Sequence, residues 1–221
     1  MATHLQREVE RLKNKIIALA ATVEKTVQEA VAAVNTRDRD LARKIIEGDA
    51  AIDQTEVDIE EECLKLLALY QPVATDLRFI VAAMKINNDI ERVGDLAVNI
   101  AERALCLCDQ PPVRELFDFA QMNKKVLAMF RGSLDALMHQ DAQRARQVRA
   151  LDDEVDALNR EMYDKIRAAL HKSPDQMDSL LNYSSVSRLL ERIADGATNI
   201  AEDVIYLVEG EIVRHKPVAP A

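Results

Sequence analysis

From Leu5 onward, apolar residues fall at Val9, Leu12, Ile16, Leu19, Val23, Val27, Ala30 and Val34. Steps of three and four residues, sustained this long, mark one face of an α-helix. The polar run Thr36-Arg37-Asp38-Arg39-Asp40 breaks the pattern. A second helix is predicted over 40–70 and is stopped by Pro72, because proline disfavours the helical state in the residue before it. A third is predicted over 75–108. Asp109-Gln110-Pro111-Pro112 then makes the clearest boundary in the chain. The plan repeats beyond it, with helices predicted over 114–138, 142–171 and 177–213 and a turn at Lys172-Ser173-Pro174-Asp175. Residues 216–221 are expected to be a loose tail. The expected fold is therefore all-α. Six long helices form two repeated antiparallel three-helix bundles, over 1–110 and 113–215.

The duplication is legible residue by residue. Glu91-Arg92-Val93-Gly94-Asp95-Leu96-Ala97-Val98-Asn99-Ile100-Ala101-Glu102 is matched by Glu191-Arg192-Ile193-Ala194-Asp195-Gly196-Ala197-Thr198-Asn199-Ile200-Ala201-Glu202. Upstream, Asp49 and Asp53 correspond to Asp152 and Asp156. Two matched pairs in the same order argue for an internal repeat rather than chance.

Placed on helices, these residues form stripes. Glu91, Asp95, Asn99 and Glu102 lie within about 80° of one another, while Val93, Ala97, Ile100 and Ala104 lie on the opposite side. Glu191, Asp195, Asn199 and Glu202 repeat the geometry. On the preceding helices, Asp49, Asp53 and Glu56 share a face, as do Asp152, Asp156 and Asn159. Side-by-side packing would bring several carboxylates together, at a cost in repulsion that a cation removes. Hard oxygen donors without Cys or His suit magnesium, manganese, calcium or iron ions and argue against structural zinc. The competing reading is a solvated acidic face paired with Arg92 and Arg192. Repetition of an Asn at the same place in both copies favours a contact, since Asn brings no helix-propensity advantage mid-helix.

Charge and composition narrow the function classes. The chain has 221 residues, with 29 Lys plus Arg against 38 Asp plus Glu, a net charge of −9. This balance works against binding a phosphate backbone, so nucleic acid is not an expected partner. Cys63, Cys106 and Cys108 are read as small buried residues in a reducing compartment. No transmembrane run is visible, and the first residues lack the apolar core of a signal peptide, so the expected location is the cytoplasm. His4, His139, His171 and His215 are scattered, and none forms the Glu-x-x-His pair of di-iron carboxylate proteins. Ser184, Ser185 and Ser187 have no triad partners, and no glycine-rich phosphate loop occurs. A metal-dependent phosphate-ester hydrolase and a metal-free helical scaffold are two readings that these residues leave open.

Glu91-Arg92-Val93-Gly94-Asp95 with Asn99, and Glu191-Arg192-Ile193-Ala194-Asp195 with Asn199, resemble the paired signatures of the PhoU family. Glu47-Gly48-Asp49 with Asp53, and Gln71-Pro72-Val73-Ala74-Thr75-Asp76-Leu77-Arg78, extend the resemblance over roughly residues 8–214. It implies two three-helix bundles and a non-enzymatic negative regulator of phosphate uptake. It also implies an adaptor between the ATPase subunit of a phosphate ABC transporter and a phosphate-sensing histidine kinase. The implied protein is commonly a homodimer, peripheral to a membrane complex. The implied ligands are Asp49, Asp53, Glu91, Asp95 and Asn99 in one half, and Asp152, Asp156, Glu191, Asp195 and Asn199 in the other, for divalent or trivalent ions such as iron, manganese or magnesium. The copies differ at Gly94 against Ala194 and at Leu96 against Gly196, and the Pro-x-x-x-Asp-Leu-Arg segment has no counterpart in the second half.

Overall fold

The structure is a computed structural model describing residues 2–115 and 117–213, with side chains from residue 4 onward. Among the described residues it is helical throughout, with no strand. The helices are α1 (Ala2–Thr36), α2 (Arg39–Tyr70), α3 (Ala74–Cys108), α4 (Ala120–His139), α5 (Ala142–Ala150), α6 (Asp152–Lys172) and α7 (Met177–Glu209), with a 3₁₀ turn at Pro174–Gln176. The apolar stripe of α1 is buried as its spacing predicts, from Leu12 and Ile16 to Val34.

α1, α2 and α3 pack as one bundle, and α4, the α5–α6 arm and α7 pack as the second. The two join mainly along α3 and α7, with α1 touching α4 behind them. Lys85 of α3 reaches Asp203 of α7 at 3.4 Å, and Val93 of α3 meets Gly196 of α7. Residue numbers rise along one helix as they fall along the other, so the pair is antiparallel.

Small residues allow the close packing. A Cβ on Gly94 would stand 3.3 Å from Ile52 Cγ2 of α2, and one on Gly196 would stand 3.2 Å from Val93 Cγ2. The difference noted between the copies thus has a cause. Gly94 admits α2 against α3, whereas Gly196 admits α3 against α7.

The duplication also reaches the turns. Asp38 caps α2 by accepting from the Leu41 amide at 3.0 Å, and Asp141 caps α5 by accepting from the Arg144 amide at 2.9 Å. Each cap follows a left-handed residue, Arg37 (φ 53°) or Gln140 (φ 50°). The α2–α3 turn uses left-handed Gln71 and Ala74 around Pro72, while the α6–α7 turn is a 3₁₀ segment begun by Pro174.

Three predicted boundaries shift. The fifth helix is not continuous: it breaks at Leu151, where the Leu151 amide donates to Val148 O and the Glu154 amide to Leu151 O. These bonds span three residues, a local tightening that no Gly or Pro announces. The fourth helix begins at Ala120 rather than near 114. Phe117 and Phe119 are buried in the linker against Tyr183, with ring centroids 5.1 and 6.3 Å away. Arg114 meanwhile bonds Ser173 and its amide bonds Gln176. The last helix ends at Glu209, four residues early, because Gly210 turns left-handed (φ 74°).

The cysteine reading needs one correction. Cys63 is buried and its thiol is pushed up to about 12 by burial, but Cys106 is exposed and Cys108 half-buried. Residues two apart on a helix point in different directions, so one core position does not imply the other. His139 and His171 sit in the last turns of α4 and α6. His215 and the tail 216–221 lie outside the described residues.

Candidate cation site on the α2–α3–α7–α6 face

The i, i+4 spacing turns Asp49 and Asp53 of α2 toward α3. There, Asp49, Asp53 and Asp95 each bring a carboxylate oxygen within 4.8 Å of the other two. Metal–oxygen bonds of about 2.0–2.6 Å let one ion reach oxygens at that separation. Asp49 Oδ1 is buried and has no hydrogen-bond partner among the described residues. The Asp49 carboxyl is raised above its ordinary range by burial first, then by repulsion from Asp53 and Asp95. Glu91 is raised in the same way, by burial and then by Asp95, Asp53, Glu56 and Asp49. An orphaned buried oxygen among mutually repelling hard donors fits a hard cation, and the residues present suit one.

Glu56 stands beside this group and is fixed from below. Buried Asn87 donates through Nδ2 to Glu56 Oε1 and to Glu56 O, both at 2.9 Å. Sequence reading missed Asn87. It lies one i, i+4 step before Glu91 on the same ladder, but its second-half counterpart is Ser187, so the repeat did not mark it.

The second half places its residues comparably, with different neighbours. Asp152 is pushed up to about 6 by burial, then by Asp195 and Asp156, with the Thr198 hydroxyl offsetting part. Asp195 is also raised, by burial and then by Asp156 across the α6–α7 groove, and Glu191 by burial, then by Asp195 of its own helix and by Asp156. Asp49, Asp53 and Asp95 are nevertheless the only set of three converging to metal-ligand distance among the described residues. Glu202, the last residue of the second stripe, is tied to Arg149 of α5 at 3.2 Å, both side chains about one-tenth exposed. Ile46 stands at the Arg149 position of the first half, and Glu102 merely contacts its neighbour Arg103.

The two asparagines of the stripes lie elsewhere. Asn99 donates to the Asp95 carbonyl of its own helix at 2.8 Å. Asn99 and Asn199 line a cavity of about 260 Å³ between α3 and α7, together with Arg92, Asp95, Arg192 and Asp195. Asp95 therefore belongs both to the carboxylate cluster and to the rim of the central cavity. Asp195 holds the matching position toward Asp152 and Asp156. One continuous polar strip crosses the molecule from α2 to α6. No described helix is long and apolar enough to cross a membrane.

Comparisons with known proteins cover the same length. A family model described as the PhoU domain matches residues 16–104 and again 119–204. A protein of Aquifex aeolicus named phosphate-specific transport system accessory protein PhoU homolog is 40% identical, with 97% of each chain aligned. A protein of the same name from Pseudomonas aeruginosa is 38% identical over 94% of this chain and 86% of its own. The crystal structure of PhoU from Pseudomonas aeruginosa superposes with a TM-score of 0.88 at 36% identity, covering 93% of this chain and 99% of that one. The phosphate transport system regulatory protein PhoU of Streptococcus pneumoniae gives 0.87 at 31% identity, over 95% and 99%.

Proposed function

The chain belongs to the PhoU family, and from that premise we propose that it is a cytoplasmic, non-catalytic regulator of phosphate uptake. On this reading it represses the phosphate-starvation response when phosphate is plentiful. It does so as an adaptor, peripheral to the membrane, between the ATPase subunit of a phosphate transporter and a phosphate-sensing histidine kinase. It works as a homodimer in which each chain carries two duplicated units joined at Pro111-Pro112. The names of its relatives, accessory protein of a phosphate-specific transport system in Aquifex aeolicus and phosphate transport system regulatory protein in Streptococcus pneumoniae, support the regulatory part.

The observation that carries the mechanism is the convergence of Asp49, Asp53 and Asp95. The proposed ligands are these three with Glu91 and Asn99, and Asp152, Asp156, Glu191, Asp195 and Asn199 in the second half. Magnesium, manganese or iron ions held there would neutralise the strip and set the charge that a partner meets.

The test is phosphate-repressible alkaline phosphatase activity in cells given ample phosphate. A strain lacking the gene should show high activity, silenced by the wild-type gene. Asp95→Asn/Asp195→Asn should restore silencing only partly. Low activity in the deletion strain would reject the regulatory role.

A further inference from the structure

The duplication supplies an internal control for chemistry that the acidic strip does not explain. Asp152 stands 103 residues after Asp49, and Glu191 stands 100 after Glu91. At these offsets, the α2–α3 groove beside the first carboxylates presents Glu56, Val57, Glu60, Met84 and Asn88. The α6–α7 groove presents Asn159, Arg160, Tyr163, Ser184 and Arg188 in the same places. One copy is acidic, while the other has gained two guanidinium groups and several neutral donors.

These substituted residues line one cavity of about 540 Å³, which Glu191 lines with them. Neither Arg160 nor Arg188 has a carboxylate within 4.0 Å among the described residues, although Arg188 offsets part of the rise of the Glu191 carboxyl. The remaining acid of the lining, Asp164, is already paired with Arg167 at 3.1 Å. The cavity floor is built rather than incidental. Ser187, 2% exposed, donates to Asn159 Oδ1 at 2.7 Å. With its oxygen engaged, Asn159 offers its Nδ2 hydrogens to a ligand. Arginine forks set among hydroxyl and amide donors match a tetrahedral oxyanion, whose oxygens accept only.

We propose that the α6–α7 groove binds a tetrahedral oxyanion of the phosphate class. Arg160 and Arg188 supply the charge, and Ser184 and Asn159 supply neutral donors. The cavity exceeds the size of a bare oxyanion, so it also accommodates the body of a phosphate monoester. The site rests on the second half's own residues and does not require the cation reading. An ion held by Asp152, Asp156 and Asp195 would lie beside it, since Glu191 borders both.

Equilibrium dialysis of the full-length protein against inorganic phosphate and against phenyl phosphate tests this, with magnesium and again with a chelator. At least one probe should bind in at least one condition. Arg160→Gln/Arg188→Gln should weaken it about a hundredfold, at about tenfold per charge-assisted contact. Both arginines are exposed on helix surfaces, so folding is not at stake. Ser184→Ala should independently weaken binding several-fold, and Arg43→Gln, an exposed arginine on α2, should leave it unchanged. Preference for inorganic phosphate identifies the free anion as ligand; preference for phenyl phosphate identifies an ester. If neither probe binds in either condition, or if the double glutamine variant binds as tightly as the wild type, the proposal is overturned. A loss of metal binding alone would leave it standing.

Discussion

Asp152 shows at the scale of one side chain what the acidic strip costs. Its carboxyl, at about 6 in the folded chain against an ordinary 3.8, keeps a proton that the unfolded chain has already released between those values. Its contribution to stability is therefore fully present at the acidic end of that window and is lost as pH rises through about 6. Asp152→Asn should raise the melting temperature in chelator at about pH 7.5, where the native charge is unfavourable, and give no gain near pH 4. Thermal denaturation at the two pH values decides it, and an equal effect at both would mean that the substitution acts through packing instead. The first-half counterpart, Asp49, is raised by the same causes.

Between elements, the carboxylates act as a latent cross-link. Asp49 and Asp53 belong to α2 and Asp95 to α3, so one ion would add a third kind of tie between helices that meet through apolar contacts such as Ile52 on Gly94 and through the Asn87–Glu56 hydrogen bonds. A ligand bound only by the folded state, at about a hundred times its Kd, adds about 2.7 kcal/mol. Magnesium or manganese should therefore raise the melting temperature of the wild type and leave Asp49→Asn/Asp53→Asn/Asp95→Asn almost unmoved. A wild-type chain indifferent to millimolar ion would remove the first-half site. The helices themselves were readable in the sequence, because three-and-four periodicity reports which face is buried. The break at Leu151 was not readable, since Ala150-Leu151-Asp152 contains no Gly or Pro and the break shows only in the backbone hydrogen bonds on either side of Leu151. Nor was the start of α4, because Phe117 and Phe119 keep an apolar pattern while burying themselves outside a helix. For the acidic strip, same-helix spacing revealed the carboxylates. The Arg149–Glu202 pair and the Ser187–Asn159 bond join residues that only tertiary packing brings together.

Across the whole molecule, the joint between the bundles depends on an unequal contact. Gly196 leaves room for Val93 at the α3–α7 crossing, while Leu96, at the matching position of the first copy, keeps a buried side chain at the same cavity. Gly196→Leu, which would make the copies alike, should overpack this seam and cost about 1–3 kcal/mol. Urea denaturation reads the loss, and a variant as stable as the parent would show that the seam can open without penalty. The same inequality makes the halves non-interchangeable: two copies of either one would bring two leucines or two glycines to the cavity between α3 and α7, where this chain has one of each.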